Sequence, residues 1–180
     1  MDERILIVFD LDETLIHSTL NESDRPADFM FREHYVYVRP HLNTFFKKSN
    51  EHFDFAIWTN GGEAYTCDIL KKIIPSFIGL RFVWPKSMFV NGVPQTLDTL
   101  RAPKNLRRLI VNGFEPSKVL IVDDNPDDSV IEFGNVIQLH PYRGQTDDCE
   151  LLLLLKYLEK VLFLKDTRSI KHVSWRTEVS

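Results

Sequence analysis

The chain alternates short, continuous apolar runs with longer segments in which apolar residues recur at helical spacing. The runs, which are typical of strands buried on both faces, lie at residues 5–9, 53–58, 118–122 and, in shorter form, 135–139. Helical spacing is found at residues 41–50, 63–74, 103–111 and 147–164. Since strands that alternate with helices form a parallel sheet covered on both faces, the pattern predicts an α/β fold.

Two segments do not follow this alternation. Residues 17–34 are mostly polar and are predicted to form a surface loop, which leads to a short strand at residues 35–38. Residues 76–102 carry apolar pieces cut by prolines and by Asn91-Gly92, a pair typical of a two-residue hairpin turn. This second segment is predicted to be a small β-rich insertion.

Length and charge limit the possible classes of protein. At 180 residues the chain is expected to form a single domain, residues 1–180, with room for the insertion but not for a second full domain. The formal net charge of −4 gives no broad basic field, so neither nucleic acid nor an acidic membrane surface is an expected partner, although local patches stay open. The apolar runs are too short to cross a membrane.

The two cysteines, Cys67 and Cys149, lie far apart and follow no metal-ligand spacing. Free thiols indicate a reducing compartment, so a soluble, intracellular protein is expected, cytoplasmic or, in a eukaryote, nuclear. The sequence sets no oligomeric state, and a monomer is compatible with it.

Three of the predicted strands end in polar side chains. These strand-end pairs are Asp10 and Asp12, Thr59 and Asn60, and Asp123 and Asp124. Because ligands bind outside the carboxyl ends of strands in open α/β sheets, the three pairs are expected to meet in one cleft. Taken alone, Asp10-Leu11-Asp12 is equally compatible with a turn, and only the other two pairs favour a site.

Carboxylates gathered in one cleft need a cation. Two like charges about 4 Å apart repel by roughly 4 kcal/mol at an effective dielectric constant of about 20. Hard oxygen ligands without histidine or cysteine favour Mg²⁺ over Zn²⁺, and Mg²⁺ is commonly bound together with a phosphate. Lys104, at the amino end of a predicted helix, is the candidate that would attract such an anion. These residues predict phosphoryl-transfer chemistry.

The segment Asp10-Leu11-Asp12-Glu13-Thr14-Leu15 resembles the first motif of the haloacid dehalogenase superfamily of phosphatases. More specifically, it resembles the RNA polymerase II C-terminal-domain phosphatase family with its small, NLI-interacting factor-like members. The resemblance continues in the same order at Tyr37-Val38-Arg39-Pro40-His41 with Phe45, at Trp58-Thr59, at Lys104 with Leu106, and at Asp123-Asp124-Asn125-Pro126. It implies a Rossmann-like parallel sheet flanked by helices.

The resemblance also implies a role for each residue of the predicted site. Asp10 would be the nucleophile that forms an aspartyl-phosphate, and Asp12 would protonate the leaving oxygen and later activate water. Mg²⁺ would be held by Asp10, the main-chain carbonyl of Asp12, Asp123 and Asp124. The expected phosphate-binding residues are Thr59, Asn60 and Lys104.

The chain departs from the family pattern in three places. Asn60 stands where a small residue is usual, Asn105 where aspartate is usual, and Asp124 where asparagine is usual. The additional carboxylate of Asp124 is expected to bind Mg²⁺ more strongly, or to leave one acid that Lys104 neutralises. The family's insertion, which helps to bind peptide substrates, falls near residues 76–102, where its individual residues cannot be assigned, so peptide specificity stays open.

Residues and resemblance together predict a magnesium-dependent phosphatase that acts on a phosphoserine or phosphothreonine segment of a protein. The alternative enzyme is a phosphatase of a small metabolite or of a nucleic-acid terminal phosphate. The non-enzymatic alternative is a phosphate-responsive binding module that keeps the fold and has lost turnover.

Overall fold

A computed structural model describes residues 4–86, 89–90, 93–94, 104, 106–126, 134–169 and 172–179. The strands in these ranges are β1 (Ile5–Phe9), β2 (Ile16–Thr19), β3 (Phe29–Phe31), β4 (His34–Val38), β5 (Phe53–Gly62), β6 (Leu80–Lys86), β7 (Phe89–Val90), β8 (Val93–Pro94), β9 (Val119–Asp123) and β10 (Val136–Gln138). The helices are α1 (Leu42–Ser49), α2 (Glu63–Ile73), α3 (Leu106–Val111) and α4 (Glu150–Val161), with 3₁₀ turns at Pro116–Lys118, Thr167–Ser169 and His172–Glu178. None of the helices in the described ranges is long and apolar enough to span a membrane.

Five strands form a parallel sheet in the order β10-β9-β1-β5-β6, which confirms the predicted α/β fold. β1 is the central strand, and all of its residues are buried. Because successive side chains of a strand point to opposite faces, β1 contributes to two apolar layers. Ile7 and Phe9 belong to the cluster formed with α1, α2 and α4, whereas Leu6 and Val8 belong to a cluster with Leu109 of α3.

The segment at residues 17–34 is not a loop, so that prediction is wrong. It contains most of β2 and all of β3, which pair with β4 in a separate three-stranded antiparallel sheet of order β2-β4-β3. β2 is mostly polar, which an antiparallel strand with one solvated face tolerates, and β3 is apolar but only three residues long.

The segment predicted as an insertion begins with a strand of the main sheet. β6 pairs in parallel with β5 and forms the edge of the five-stranded sheet. Pro85 is tolerated there because an edge strand has one side without ladder hydrogen bonds. Farther along the chain, β7 and β8 form a two-stranded antiparallel sheet. The predicted Asn91-Gly92 turn and Pro103 lie outside the described residues.

The junction between β5 and α2 differs from the prediction. β5 does not end before Thr59 but continues to Gly62, and α2 follows at once. α2 places Thr66, Ile69, Leu70 and Ile73 in the core. Cys67 of α2 is exposed, and both it and Cys149 are free thiols.

The C-terminal segment, which has no clear sequence pattern, packs against the sheet. Trp175 is fully buried, and its indole Nε1 donates to the Gln138 carbonyl oxygen at 2.9 Å. The Arg176 Nε donates to Glu150 Oε1 at 2.8 Å. These contacts fasten the tail to β10 and to the first residue of α4.

His172 is expected to make the fold less stable at acidic pH. Its side chain is buried, its Nε2 donates to the Thr167 carbonyl oxygen at 2.7 Å, and its Nδ1 accepts from the Tyr157 hydroxyl at 2.8 Å. Burial lowers the pKa of this imidazole below its ordinary value of 6.5, because burial disfavours the charged ring. The unfolded chain therefore binds the proton more readily than the folded chain.

The stability contributed by neutral His172 is complete above pH 6.5 and is lost as pH falls through the lowered pKa of the folded state. Urea unfolding between about pH 5 and about pH 8 measures this effect. The free energy of unfolding of the wild type should fall toward low pH more steeply than that of His172→Gln, by up to about 1.4 kcal/mol per pH unit. Equal slopes for the two proteins would contradict this expectation.

Candidate active site

The first and third strand-end pairs lie side by side. β1 and β9 are parallel neighbours with Phe9 opposite Val122, so Asp10 and Asp123 follow at the same edge of the sheet. The Asp10 N–H donates to the Val122 carbonyl oxygen at 2.9 Å, which fixes the main chain as it leaves β1. The structure thus brings these two acids together, as predicted.

Lys104 supplies positive charge between these two acids. Its Nζ donates to Asp10 Oδ1 at 2.5 Å and to Asp123 Oδ2 at 2.6 Å. Burial lowers the pKa of this amine, but the charges of the two carboxylates outweigh burial, and the pKa is raised above its ordinary value. The side chain is therefore held as a buried ammonium ion at the bottom of the site.

Both acids of the first motif hold a proton more tightly than a free aspartic acid does. Burial raises the pKa of Asp10 to about 7; Lys104 opposes this shift and Asp123 adds to it. Burial also raises the pKa of Asp12, and a hydrogen bond from Tyr65 opposes that shift. A carboxyl group with a raised pKa, such as that of Asp12, is better suited to give and take a proton than a free aspartic acid.

Three carboxylates form a group that fits a hard divalent cation. Oxygen atoms of Asp10, Asp123 and Asp124 lie within 4.8 Å of one another, and carboxylate oxygen is the preferred protein ligand of Mg²⁺. Asp124 is oriented by Thr14, whose hydroxyl donates to Asp124 Oδ1 at 2.9 Å and accepts the Asp124 N–H at 3.1 Å. The Asp12 carboxylate does not belong to this group, which leaves it available for other chemistry.

The second strand-end pair lines the same cleft. Thr59 is only 2% exposed, and its hydroxyl oxygen accepts the Gly61 N–H at 3.0 Å. Among the described residues the hydroxyl donates no hydrogen bond, so its hydrogen is available for an anion. Asn60 is exposed at the mouth of the cleft. The cleft has a volume of about 570 Å³ and is lined by Asp10, Asp12, Thr59, Asn60, Lys104, Asp123 and Asp124, and also by Glu13, Asn125, Gln138, Pro141 and Arg143. Every predicted site residue therefore faces one space.

Tyr65 contacts the site although sequence reasoning does not identify it. Its hydroxyl donates to Asp12 Oδ1 at 2.5 Å. Burial and the nearby Asp12 charge raise the pKa of Tyr65, so the hydroxyl stays a donor. The only signal in the sequence is its place in the first turn of a helix that directly follows a site-forming strand.

Glu13 and Arg143 form a second charged pair that lines the cleft. Arg143 Nη1 lies 3.2 Å from Glu13 Oε1, and His17 Nδ1 lies 3.0 Å from the same oxygen. Glu13 has a φ of 57°, in the left-handed region, and its carbonyl oxygen accepts the Tyr142 N–H at 2.7 Å. The loop after β1 is thereby joined to the loop after β10.

Arg39 connects the same two loops from the interior. The side chain is almost fully buried; its Nη1 donates to the Thr14 carbonyl oxygen at 2.9 Å and its Nη2 to the His140 carbonyl oxygen at 2.7 Å. Its Nε and Nη2 also form a two-pronged pair with Asp148 at 2.9 and 2.8 Å. The Thr14 contact matters for the site because Thr14 orients Asp124.

Comparison with known proteins agrees with the fold and the motifs. The family model described as NLI interacting factor-like phosphatase matches residues 5–168. CTD small phosphatase-like protein 3 of Caenorhabditis elegans is 30% identical over an alignment of 181 residues, gaps included, which covers 94% of this chain and 59% of that protein. The human carboxy-terminal domain RNA polymerase II polypeptide A small phosphatase 1 is 28% identical over 179 residues, which cover 93% of this chain and 63% of that protein.

A solved structure of Fcp1, described as an essential RNA polymerase II CTD phosphatase, superposes with a TM-score of 0.58 at 22% identity, over 88% of this chain and 51% of that one. This likeness shows a shared fold. The chain spans less than two thirds of the length of these curated relatives. Since the family model covers nearly the whole chain, the chain belongs to the NLI interacting factor-like phosphatase family.

Proposed function

We propose that this chain is a magnesium-dependent phosphatase that hydrolyses phosphomonoesters through an aspartyl-phosphate on Asp10. The observation that carries the proposal is the buried Lys104 ammonium ion bridging Asp10 and Asp123 beside Asp124. In this proposal Asp10 is the nucleophile, Lys104 is the phosphate-binding cation, and Asp10, Asp123 and Asp124 are the cation ligands. Membership of a family of phosphatases supports the same function.

Asp10 and Asp12 divide the reaction between them. In the first step an Asp10 carboxylate oxygen attacks phosphorus, the bond from phosphorus to the substrate oxygen breaks, and the Asp12 carboxyl gives its proton to that oxygen. In the second step the Asp12 carboxylate takes a proton from water while the water oxygen attacks phosphorus. Asp10 is released, inorganic phosphate forms, and Asp12 is protonated again.

Lys104 and Thr59 would bind the phosphate oxygens during both steps. General acid and base help from Asp12 supplies about 10²- to 10⁴-fold in rate, which is far less than phosphomonoester hydrolysis requires. Fixed donors aimed at the developing charge supply the larger share in such sites. The buried ammonium of Lys104 and the hydroxyl of Thr59 line the cleft and are the donors proposed for this task, with the exposed amide of Asn60 as a third.

The carboxylates of Asp10, Asp123 and Asp124 would hold Mg²⁺, together with the main-chain carbonyl of Asp12 that the family pattern implies. When bound, the ion would neutralise the clustered acids and polarise a phosphate oxygen. Of these ligands, Asp124 is the one at which the chain departs from the family pattern.

Asp124→Asn is expected to bind Mg²⁺ about tenfold more weakly, because affinity for such cations follows the number of charged ligands. The asparagine amide oxygen keeps the hydrogen bond from the Thr14 hydroxyl, so the loss reports charge and not orientation. Isothermal titration of both proteins with MgCl₂ measures the difference. Equal affinities would exclude a contribution of the Asp124 charge to Mg²⁺ binding.

A phosphoserine or phosphothreonine segment of a protein is the proposed substrate class. The name of the human relative associates it with the carboxy-terminal domain of RNA polymerase II polypeptide A, which is a polypeptide. The cleft is lined by five carboxylates, of Asp10, Asp12, Glu13, Asp123 and Asp124, which disfavour a polyanion such as nucleic acid. We also propose an intracellular location, from the two exposed free thiols.

A phosphate-release screen tests the proposed function. Phosphoserine and phosphothreonine peptides, an aryl phosphate, nucleoside monophosphates and sugar phosphates are each offered with MgCl₂. Peptides should be hydrolysed with a higher kcat/KM than metabolites; EDTA should stop release, and excess MgCl₂ should restore it. Release that persists in EDTA would contradict magnesium dependence, and a preference for nucleotides or sugars would contradict the substrate class. No release from any substrate would favour the binding module.

A further inference from the structure

We propose that Tyr65 is the positioning residue for the Asp12 carboxyl group, and that Gly61 provides the space which the Tyr65 ring needs. This inference rests on the proposed role of Asp12 as the proton donor to the leaving oxygen. It adds two residues to the parts on which that step depends.

The hydrogen bond from Tyr65 fixes one side of the Asp12 carboxyl group. The Tyr65 hydroxyl lies 2.5 Å from Asp12 Oδ1. Within the part of the chain that the structure describes, Asp12 Oδ2 accepts no hydrogen bond, and Asp12 lines the cleft. A carboxyl group held at one oxygen cannot rotate freely about its terminal bond, so the second oxygen is presented in one direction.

Two surfaces hold the Tyr65 ring in turn. The ring lies edge-on to Phe31 of β3, with centroids 5.2 Å apart and an angle of 76° between the planes. Tyr65 also belongs to the first turn of α2, whose Ile69 and Ile73 are buried in the core. The three-stranded sheet and α2 therefore fix the ring independently of Asp12.

Gly61 lies against the ring at the end of β5. A Cβ atom at this position would be 2.9 Å from Tyr65 Cδ1 and 3.2 Å from Tyr65 Cε1, distances at which the ring has to move. The neighbouring Gly62 offers a contrast, because a Cβ atom there would have no atom within 4 Å. Only the first of these two glycines is required by the position of Tyr65.

Loss of positioning should affect the reaction only where Asp12 moves a proton. The constant kcat/KM reports the steps up to departure of the leaving group, which include protonation of the leaving oxygen. An alkyl oxygen such as that of serine needs this proton, whereas a nitrophenolate departs without it. A defect in positioning therefore grows with the basicity of the leaving group, whereas a general structural defect lowers kcat/KM for all substrates equally.

Tyr65→Phe tests the proposal because it removes the hydroxyl and keeps the ring on Phe31. With a phosphoserine peptide, kcat/KM should fall about 10- to 100-fold, within the range of general acid catalysis. With p-nitrophenyl phosphate it should fall less than about threefold, and a series of aryl phosphates should show a steeper dependence on leaving-group pKa. A uniform loss, or no loss, would overturn the proposal.

Tyr157→Phe is the matched control for this variant. It also removes a buried tyrosine hydroxyl, in this case one hydrogen-bonded to His172, away from the cleft. Its dependence of kcat/KM on leaving-group pKa should equal that of the wild type, even if the protein unfolds at a lower urea concentration.

Gly61→Ala and Gly62→Ala test the second part of the proposal, the role of Gly61 in making space for the Tyr65 ring. Gly61→Ala should show the same steepened leaving-group dependence as Tyr65→Phe, and Gly62→Ala should not. In the double variant Tyr65→Phe/Gly61→Ala, the glycine substitution should add little to the leaving-group effect, because the hydroxyl is already absent. Independent, additive effects would overturn the assignment to Gly61.

Crystal structures keep the inference testable apart from the proposed function. In the wild type the Asp12 carboxyl group should occupy one orientation, and in Tyr65→Phe it should rotate or become disordered. If the wild type hydrolyses no phosphomonoester, the proposed function fails, and these structures still decide whether Tyr65 positions Asp12. If the Asp12 carboxyl group keeps its orientation in Tyr65→Phe, the inference is overturned, even where the wild type is a fully active phosphatase.

Discussion

Asp10→Asn is expected to lower kcat for an aryl phosphate by about 10⁴-fold or more, because an amide cannot form the acyl-phosphate intermediate. Initial rates with saturating MgCl₂ measure the effect. Asp12→Asn should also be strongly impaired, because it removes the group that donates a proton in the first step and activates water in the second. Wild-type turnover by either variant would contradict the mechanism.

Asp54→Asn is the matched control for Asp10→Asn. Asp54 lies on β5 next to β1, in register with Leu6, and forms ion pairs with Arg4 and Arg81. Both substitutions remove one carboxylate from neighbouring strands, but Asp54 lies toward the opposite end of the sheet. Its removal should leave kcat unchanged, so a similar loss in both variants would indicate a general effect of charge on folding.

Arg39→Met is expected to destabilise the fold by about 3 to 5 kcal/mol, the range for removing one partner of a buried ion pair. The guanidinium is almost fully buried and satisfies the Thr14 and His140 carbonyl oxygens as well as Asp148. Without it the two carbonyl oxygens lose this donor, and Asp148 keeps, among the described residues, only the Glu150 N–H. Urea unfolding at neutral pH measures the change in free energy.

Two further variants serve as comparisons for Arg39→Met: Arg39→Lys keeps the charge, and Lys71→Met removes an exposed ion pair. Lysine keeps the charge but cannot reproduce the planar fork that reaches two oxygens of Asp148, so Arg39→Lys should also be strongly destabilised. Lys71 forms an exposed ion pair with Asp68, and Lys71→Met should change stability by less than about 0.5 kcal/mol. If Arg39→Met lowered the free energy of unfolding no more than Lys71→Met does, the buried ion pair would not stabilise the fold.

The parts of the protein that could be predicted from the sequence depend on short-range patterns. The apolar run of β1 specifies a buried strand by itself, and the acids that follow it lie at the strand end because strand length is set locally. The same holds for β9 and Asp123. The proximity of the two acids follows from the rule that the carboxyl ends of parallel strands lie at the same end of the sheet, and the structure places the two acids side by side there.

The parts that could not be predicted depend on contacts between distant segments. β3 is an apolar run of only three residues, too short to specify a strand by itself, and its pairing with β4 makes it one. β6 contains Arg81 and Pro85 and is recognisable only as an edge strand beside β5. Tyr65 of α2 and Asp12 after β1 lie far apart in the sequence and meet only because the fold packs these two elements together. No local sequence pattern predicts that a tyrosine in a helix contacts an acid in a loop.

The measurement that tests the central claim most directly is identification of the phosphorylated residue. The wild-type protein is mixed with an aryl phosphate and MgCl₂, quenched in acid during turnover and reduced with borohydride, which converts an aspartyl-phosphate to homoserine. Peptide mass spectrometry should then find homoserine at position 10 and aspartate at position 12, with no conversion in Asp10→Asn. Conversion at another residue, or none in an enzyme that is turning over, would contradict Asp10 as the nucleophile.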